Sequence, residues 1–202
     1  MKKLEIRSFG GDAAPKIEGR TIDGYAIVFN QRSEVMLDWT DEGIRRFVEV
    51  VDPSAVDEAL LLSSDIRALI EHNRERLLAR YNKGVGTLSL TIDEHGLRYS
   101  FEAPNTADGD YAVEMVGRGD ISGSSFAFRV KDSDTEWAKE GSLWVRTIKR
   151  FSLLRDVTIT TDPAYTQTEV SVRNLDEMDK PIEEEKKDLP YKVKLQLLRN
   201  RI

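Results

Sequence analysis

Residues 86–101 read G-T-L-S-L-T-I-D-E-H-G-L-R-Y-S-F. Leu88, Leu90 and Ile92 fall on alternate positions, D-E-H-G interrupts them, and Leu97, Tyr99 and Phe101 alternate again. Period two on both sides of a glycine turn predicts a β-hairpin with one buried face. The same alternation recurs outward from this hairpin. Leu4, Ile6 and Phe9 predict a first strand closed by Gly10-Gly11 and Pro15, and residues 17–30 a second whose run Tyr25–Phe29 is dense enough to be buried. F-V-E-V-V at 47–51, D-I-R-A-L-I-E-H-N at 65–73 and the stretches 126–130, 143–151, 152–161 and 169–172 add further strands. Helix signals are few. Asp52-Pro53 predicts a helix start running to about Leu62, and Thr106 caps a helix over 108–117 that Gly117 and Gly119 end. Arg32–Gly43 loses periodicity and predicts a long surface loop, and K-D-S-D-T-E-W-A-K-E-G after Val130 a loop or hairpin tip. Many short strands with two or three helices predict an α+β, mainly β fold, a barrel or sandwich carrying helices and not a doubly wound sheet.

Composition narrows the chemistry. The chain has 202 residues, 40% of them hydrophobic, with 30 basic and 36 acidic residues and a net charge of -6. No basic cluster interleaves with aromatics, which argues against nucleic acid as a partner. There is no cysteine, hence no disulfide and no thiolate nucleophile. Glu5 and Arg7 break what would be the apolar core of a signal peptide, and no run reaches the roughly 20 apolar residues of a membrane span. A soluble protein from a reducing compartment, without a membrane partner, is expected. Beyond Asn174 the composition changes. Residues 176–190 hold seven acids against three lysines, and 191–202 hold Lys192, Lys194, Arg199 and Arg201. The expected division is a domain over 1–174 and a charged tail over 175–202, either solvated or partly helical.

G-D-I-S-G-S-S-F-A-F, residues 119–128, carries the strongest candidate for chemistry. Small residues bend into Ser124 and Ser125, after which Phe126, Phe128 and Val130 alternate, so that Ser125 would stand at the mouth of a strand. A serine nucleophile needs an exposed, fixed hydroxyl and donors for the oxyanion it creates. The plainer alternative is a hydroxyl-rich turn feeding an ordinary strand. Only two histidines are present. His72 ends an apolar stretch and reads equally as a general base or a surface residue, whereas His95 sits in the hairpin turn. A third group would have to orient the imidazole, and Asp156, a lone carboxylate in an apolar strand, is the candidate; a solvent-facing acid is the alternative. Neither histidine has metal-ligand spacing, and no cofactor is expected.

Taken together, G-Y-A-I-V-F-N, F-V-E-V-V-D-P-S-A-V, E-H-N, G-L-R-Y-S-F-E-A-P-N-T, R-G-D-I-S-G-S-S-F-A-F and R-D-V-T-I-T-T-D-P-A-Y resemble, in collinear order over residues 20–172, the prohead maturation proteases of HK97-type tailed phages. The resemblance implies kinship with the herpesvirus assemblin proteases, and so a closed or nearly closed antiparallel β-barrel ringed by helices. It implies Ser125 as nucleophile and His72 as base. Asp156 occupies the place of the third member, where the herpesvirus branch has histidine. Asn73 and Leu78-Ala79 depart from the family pattern, and Ser124 beside Ser125 leaves the nucleophile ambiguous by one position. Main-chain N–H groups near Ser125, or Arg155, are the candidate oxyanion donors.

The expected function is then a serine endopeptidase acting inside the immature capsid in the host cytoplasm. Its implied substrates are the scaffolding region of the major capsid protein and the protease itself, and its implied relatives work as dimers. The competing expectation is a non-catalytic capsid-assembly or scaffold component that uses the same barrel and its charged tail.

Overall fold

The computed structural model of the chain describes residues 4–40 and 43–161. The hairpin that anchors the sequence reading is formed by β9 (Leu88–Ile92) and β10 (Gly96–Glu102), in register from Leu97 opposite Ile92 to Phe101 opposite Leu88. Leu88, Leu97, Tyr99 and Phe101 are buried, as the alternation requires. β10 also pairs with β3 (Thr21–Val28), which pairs with β2 (Lys16–Glu18), giving a four-stranded sheet in the order β2-β3-β10-β9.

A second sheet of six strands carries most of the remaining chain. Its order is β1 (Glu5–Phe9), β11 (Gly123–Val130), β14 (Phe151–Thr160), β6 (Asp65–Ile70), β7 (Asn73–Asn82) and β8 (Val85–Gly86). The third sheet runs β12 (Thr135–Glu140), β13 (Leu143–Ile148), β5 (Gly43–Val51), β4 (Met36–Thr40). Two helices complete the described residues. α1 (Glu58–Ser63) starts where the Asp57 carboxylate accepts from the Leu60 N–H, and α2 (Ala107–Arg118) where Thr106 accepts from the Gly109 N–H. α2 ends at Gly119, whose left-handed φ of 79° closes the helix and turns the chain toward β11. No helix among the described residues is long and apolar enough to cross a membrane.

Phe9, Phe126, Phe128 and Phe151 form the centre of the core, with ring centroids between 4.8 and 6.0 Å apart. All four are buried. Each such side chain contributes about 1.5–3 kcal/mol of transfer free energy, so this cluster holds β1 and β14 against β11.

Several sequence expectations are corrected. No sheet closes into a barrel among the described residues, because β1 and β8 remain the two edges of the largest sheet. Nor are the sheets wholly antiparallel: β14 runs parallel to β6, and β13 parallel to β5. Arg32–Gly43 is not all loop, since β4 forms a hairpin with β5; Leu37 and Trp39 stay largely exposed on this edge, so burial leaves no apolar period to read. The polar stretch after Val130 likewise contains β12, paired residue for residue with β13. The helix expected from Pro53 to Leu62 is split: Pro53–Ala55 is a 3-10 turn, Val56 returns to extended backbone, and Asp57 caps a fresh start. The strand expected over 143–151 stops at Ile148 and restarts as β14. The strand at 169–172, the boundary at 174 and the tail lie outside the described residues.

Candidate active site

β11 has to satisfy two faces at once. Side chains alternate along a strand, so Ser124, Phe126 and Phe128 point one way and Ser125 and Ala127 the other. On the inner face the Ser124 hydroxyl donates to the Ala13 carbonyl oxygen at 2.8 Å and lies 2.8 Å from the Tyr99 hydroxyl. Burial pushes the Tyr99 phenol well up, which keeps it neutral. Gly24 packs so close that an added Cβ would lie 2.8 Å from the Tyr99 hydroxyl oxygen and 3.1 Å from Ser124 Oγ. Ser124 is thereby committed to the core. On the other face, Ser125 Oγ lies 2.6 Å from His72 Nε2.

His72 reaches Ser125 across 53 positions of sequence because of a tight turn. Ile70 pairs with Asn73, leaving Glu71 and His72 as a two-residue connection between β6 and β7. Both have left-handed backbones, with φ of 52° and 53°. Positive φ at both central positions is the type I′ pattern that suits hairpin twist, and for non-glycine residues it costs about 1 kcal/mol each. Glu71 offsets that cost. Its carboxylate accepts from Thr160 Oγ1 at 2.8 Å, Thr161 N at 2.7 Å and Thr161 Oγ1 at 3.0 Å, and its own N–H donates to the Ile159 carbonyl at 3.2 Å. The turn is clamped to the end of β14. Sequence reasoning missed Glu71, since a charged residue in a turn carries no pattern.

β14 supplies the third group. Asp156 Oδ1 lies 2.6 Å from His72 Nδ1 and accepts from Thr158 Oγ1 at 3.0 Å; Thr158 Oγ1 is also 3.3 Å from His72 Nδ1. Asp156 and Thr158 share a face two residues apart, and both are buried. A carboxylate on Nδ1 fixes that nitrogen as the donor and leaves Nε2 free to accept from Ser125. Arg155 is the unpaired extra residue of a β-bulge, opposite the step from Ala127 to Phe128. It therefore stands beside the site in an irregular stretch, where bulges re-aim side chains.

One expectation about Ser125 is overturned. It does not stand open at a strand mouth but is fully buried. β1 pairs antiparallel along β11 with Ser8 opposite Ser125, Ser8 Oγ donates to Ser125 Oγ at 3.0 Å, and the Arg7 carbonyl oxygen lies 2.8 Å from Ser125 Oγ. The Ser125 proton has two acceptors within reach, His72 Nε2 and Arg7 O, and can serve only one at a time. His95, by contrast, stays in its hairpin turn, its ring edge against Tyr25 at 4.5 Å.

The geometry juxtaposes hydroxyl, imidazole and carboxylate in hydrogen-bonded sequence, an arrangement suited to deprotonating a nucleophile and stabilising the resulting imidazolium. No curated protein and no solved structure matches the chain. A family profile does match, that of the caudovirus prohead serine proteases, and it spans residues 3–181 of the 202. A match of that extent includes every strand and helix described above and the residues that meet at Ser125, so the chain belongs to the caudovirus prohead serine protease family.

Proposed function

We propose that the chain is a serine endopeptidase that trims the scaffolding region of the major capsid protein, and itself, inside the immature capsid in the host cytoplasm. The observation that carries this reading is the unbroken line from Ser125 Oγ through His72 to Asp156, with both hydrogen bonds at 2.6 Å. In the proposed sequence, Ser125 Oγ adds to the scissile carbonyl carbon while His72 Nε2 takes its proton. The C–N bond then breaks, the leaving amine receives that proton, and water, deprotonated by His72, releases the acyl group and restores Ser125. Asp156 holds the Nδ1 proton in place and stabilises the imidazolium. The stretch 174–190 is the proposed target of self-processing.

Ser125→Ala should lower proteolysis of co-expressed capsid protein on the order of 10⁴-fold or more and leave the circular dichroism spectrum unchanged. A serine-directed fluorophosphonate should label the wild-type chain on the peptide containing Ser125. Trimming that continues in Ser125→Ala, or a label located on Ser124, would refute the assignment.

A further inference from the structure

The strand that buries Ser125 also shows what kind of peptide the site takes. β1 lies on the nucleophile strand as an extended antiparallel segment, the binding mode of a peptide that adds a strand to a sheet edge. It places one carbonyl, that of Arg7, 2.8 Å from Ser125 Oγ. Its side chains are received in a defined way. Arg7 donates through Nε and Nη2 to the two carboxylate oxygens of Glu49, at 2.8 and 3.0 Å, and its guanidinium lies 5.6 Å from the centroid of the Phe128 ring. Glu5, two residues earlier and on the same side, accepts from Arg146 Nη1 at 2.6 Å and Arg146 Nη2 at 3.0 Å. Glu49 and Arg146 are themselves paired at 2.9 Å. Both are buried, Glu49 completely.

Removal of β1 would take Glu5 and Arg7 away and leave Glu49 on β5 and Arg146 on β13, one acid and one base, facing the two places those side chains had filled. Such a receptor is selective by charge order. A basic side chain at the residue contributing the scissile carbonyl meets Glu49, an acidic one two places earlier meets Arg146, and the reverse order sets like charges against each other in a buried place. We propose that β1 stands where the substrate's own strand lies during catalysis, that the preferred substrates are extended peptides of the form acidic-x-basic cut after the basic residue, and that Glu49 and Arg146 read these two charges. This rests on the serine peptidase reading above. In the resting chain β1 acts as a tethered occupant, because a Ser125 hydroxyl donating to the Arg7 carbonyl oxygen withholds its proton from His72. Within the chain itself, Glu184-x-Lys186 and Glu185-x-Lys187 carry the same pattern in the stretch proposed for self-processing.

The test uses the full chain, its Glu5→Gln/Arg7→Gln double variant and two synthetic peptides. One peptide copies residues 3–12, K-L-E-I-R-S-F-G-G-D, and the other exchanges its glutamate and arginine. Loosening β1 should speed fluorophosphonate labelling of Ser125 by about tenfold or more, and the native-order peptide should be cut after its arginine with kcat/KM at least about tenfold above the exchanged peptide. Glu49→Gln should shrink that preference. The wild-type chain, which requires no variant to fold, should show the same order of peptides at a lower rate. Unchanged labelling, or equal cutting of the two peptides by a chain that labels at Ser125, overturns this inference alone. Absence of labelling in every form of the chain overturns the peptidase reading beneath it.

Discussion

Glu71 and His72 are adjacent residues with opposite relations to the sequence pattern. His72 is conspicuous by rarity, one of two histidines, whereas nothing marks Glu71 until β14 is seen alongside it. On the proposed reading Glu71 is a positioning residue: it holds a strained turn whose neighbour presents Nε2 to Ser125 within hydrogen-bond reach. Productive geometry of this kind tolerates little displacement, and a shift of about 1 Å can cost on the order of 100-fold in rate. Glu71→Ala removes the acceptors of Thr160 Oγ1, Thr161 N and Thr161 Oγ1. It should lower kcat by about 10- to 100-fold with KM nearly unchanged and the melting temperature little altered. Glu71→Gln keeps one carbonyl acceptor and should recover part of the loss. A variant Glu71→Ala with wild-type kcat would show that β6 and β7 fix His72 unaided.

Among the elements, those with one buried face were legible and those without were not. β9 and β10 declare themselves because Leu88, Leu97, Tyr99 and Phe101 are buried at period two, and α2 because Thr106 and Gly119 punctuate it. β4 and β12 are edge strands whose alternation is diluted by exposed Trp39, Glu136 and Lys139, so only their hydrogen-bonded partners define them. The cover over Ser125 was illegible for a further reason, since Ser8 and Ser125 meet across 117 positions. No local period encodes such a pairing. The junction between β5, β13 and β14 shows how one capping residue joins elements. Asp52 accepts from Lys149 Nζ at 2.9 Å and from Ser54 N and Oγ at 2.9 and 2.6 Å. These bonds, that from Lys149 foremost, hold its carboxyl down at about 2, against an ordinary value of 3.8. A depressed carboxylate stabilises the fold above its unfolded value and loses that contribution as pH falls from about 4 toward 2. Thermal melts between pH 2 and 5 should therefore fall more gently for Asp52→Asn than for wild type, with the two curves closest at the acid end. Parallel curves would assign the acid sensitivity elsewhere.

On the scale of the whole molecule, the six-stranded sheet and the β12-β13-β5-β4 sheet meet through charge as well as through apolar packing. Glu5 and Arg7 come from the first sheet, Glu49 and Arg146 from the second, and the four alternate in sign. Burial raises the cost of Glu5's charge, yet hydrogen bonds and attraction from Arg146 and Arg7 hold its carboxyl below the usual carboxylate range. Breaking such a cluster differs from replacing it. Loss of one partner strands a desolvated charge and costs about 3–5 kcal/mol, whereas exchange of a whole buried group for well-packed apolar side chains is often neutral or stabilising. Glu49→Ala removes one of the two carboxylates that Arg7 and Arg146 share and leaves Glu5 as the other, so the cluster keeps two cations against one acid in a buried place. It should lower the urea midpoint by an amount equivalent to about 3 kcal/mol or more. Replacement of Glu5, Arg7, Glu49 and Arg146 together by apolar residues of similar volume should restore most of that stability and abolish the preference for acidic-x-basic peptides. Recovery of stability together with retained charge preference would mean that the cluster fastens the sheets but does not read the substrate, because a receptor without charges has no means of ordering those of its ligand.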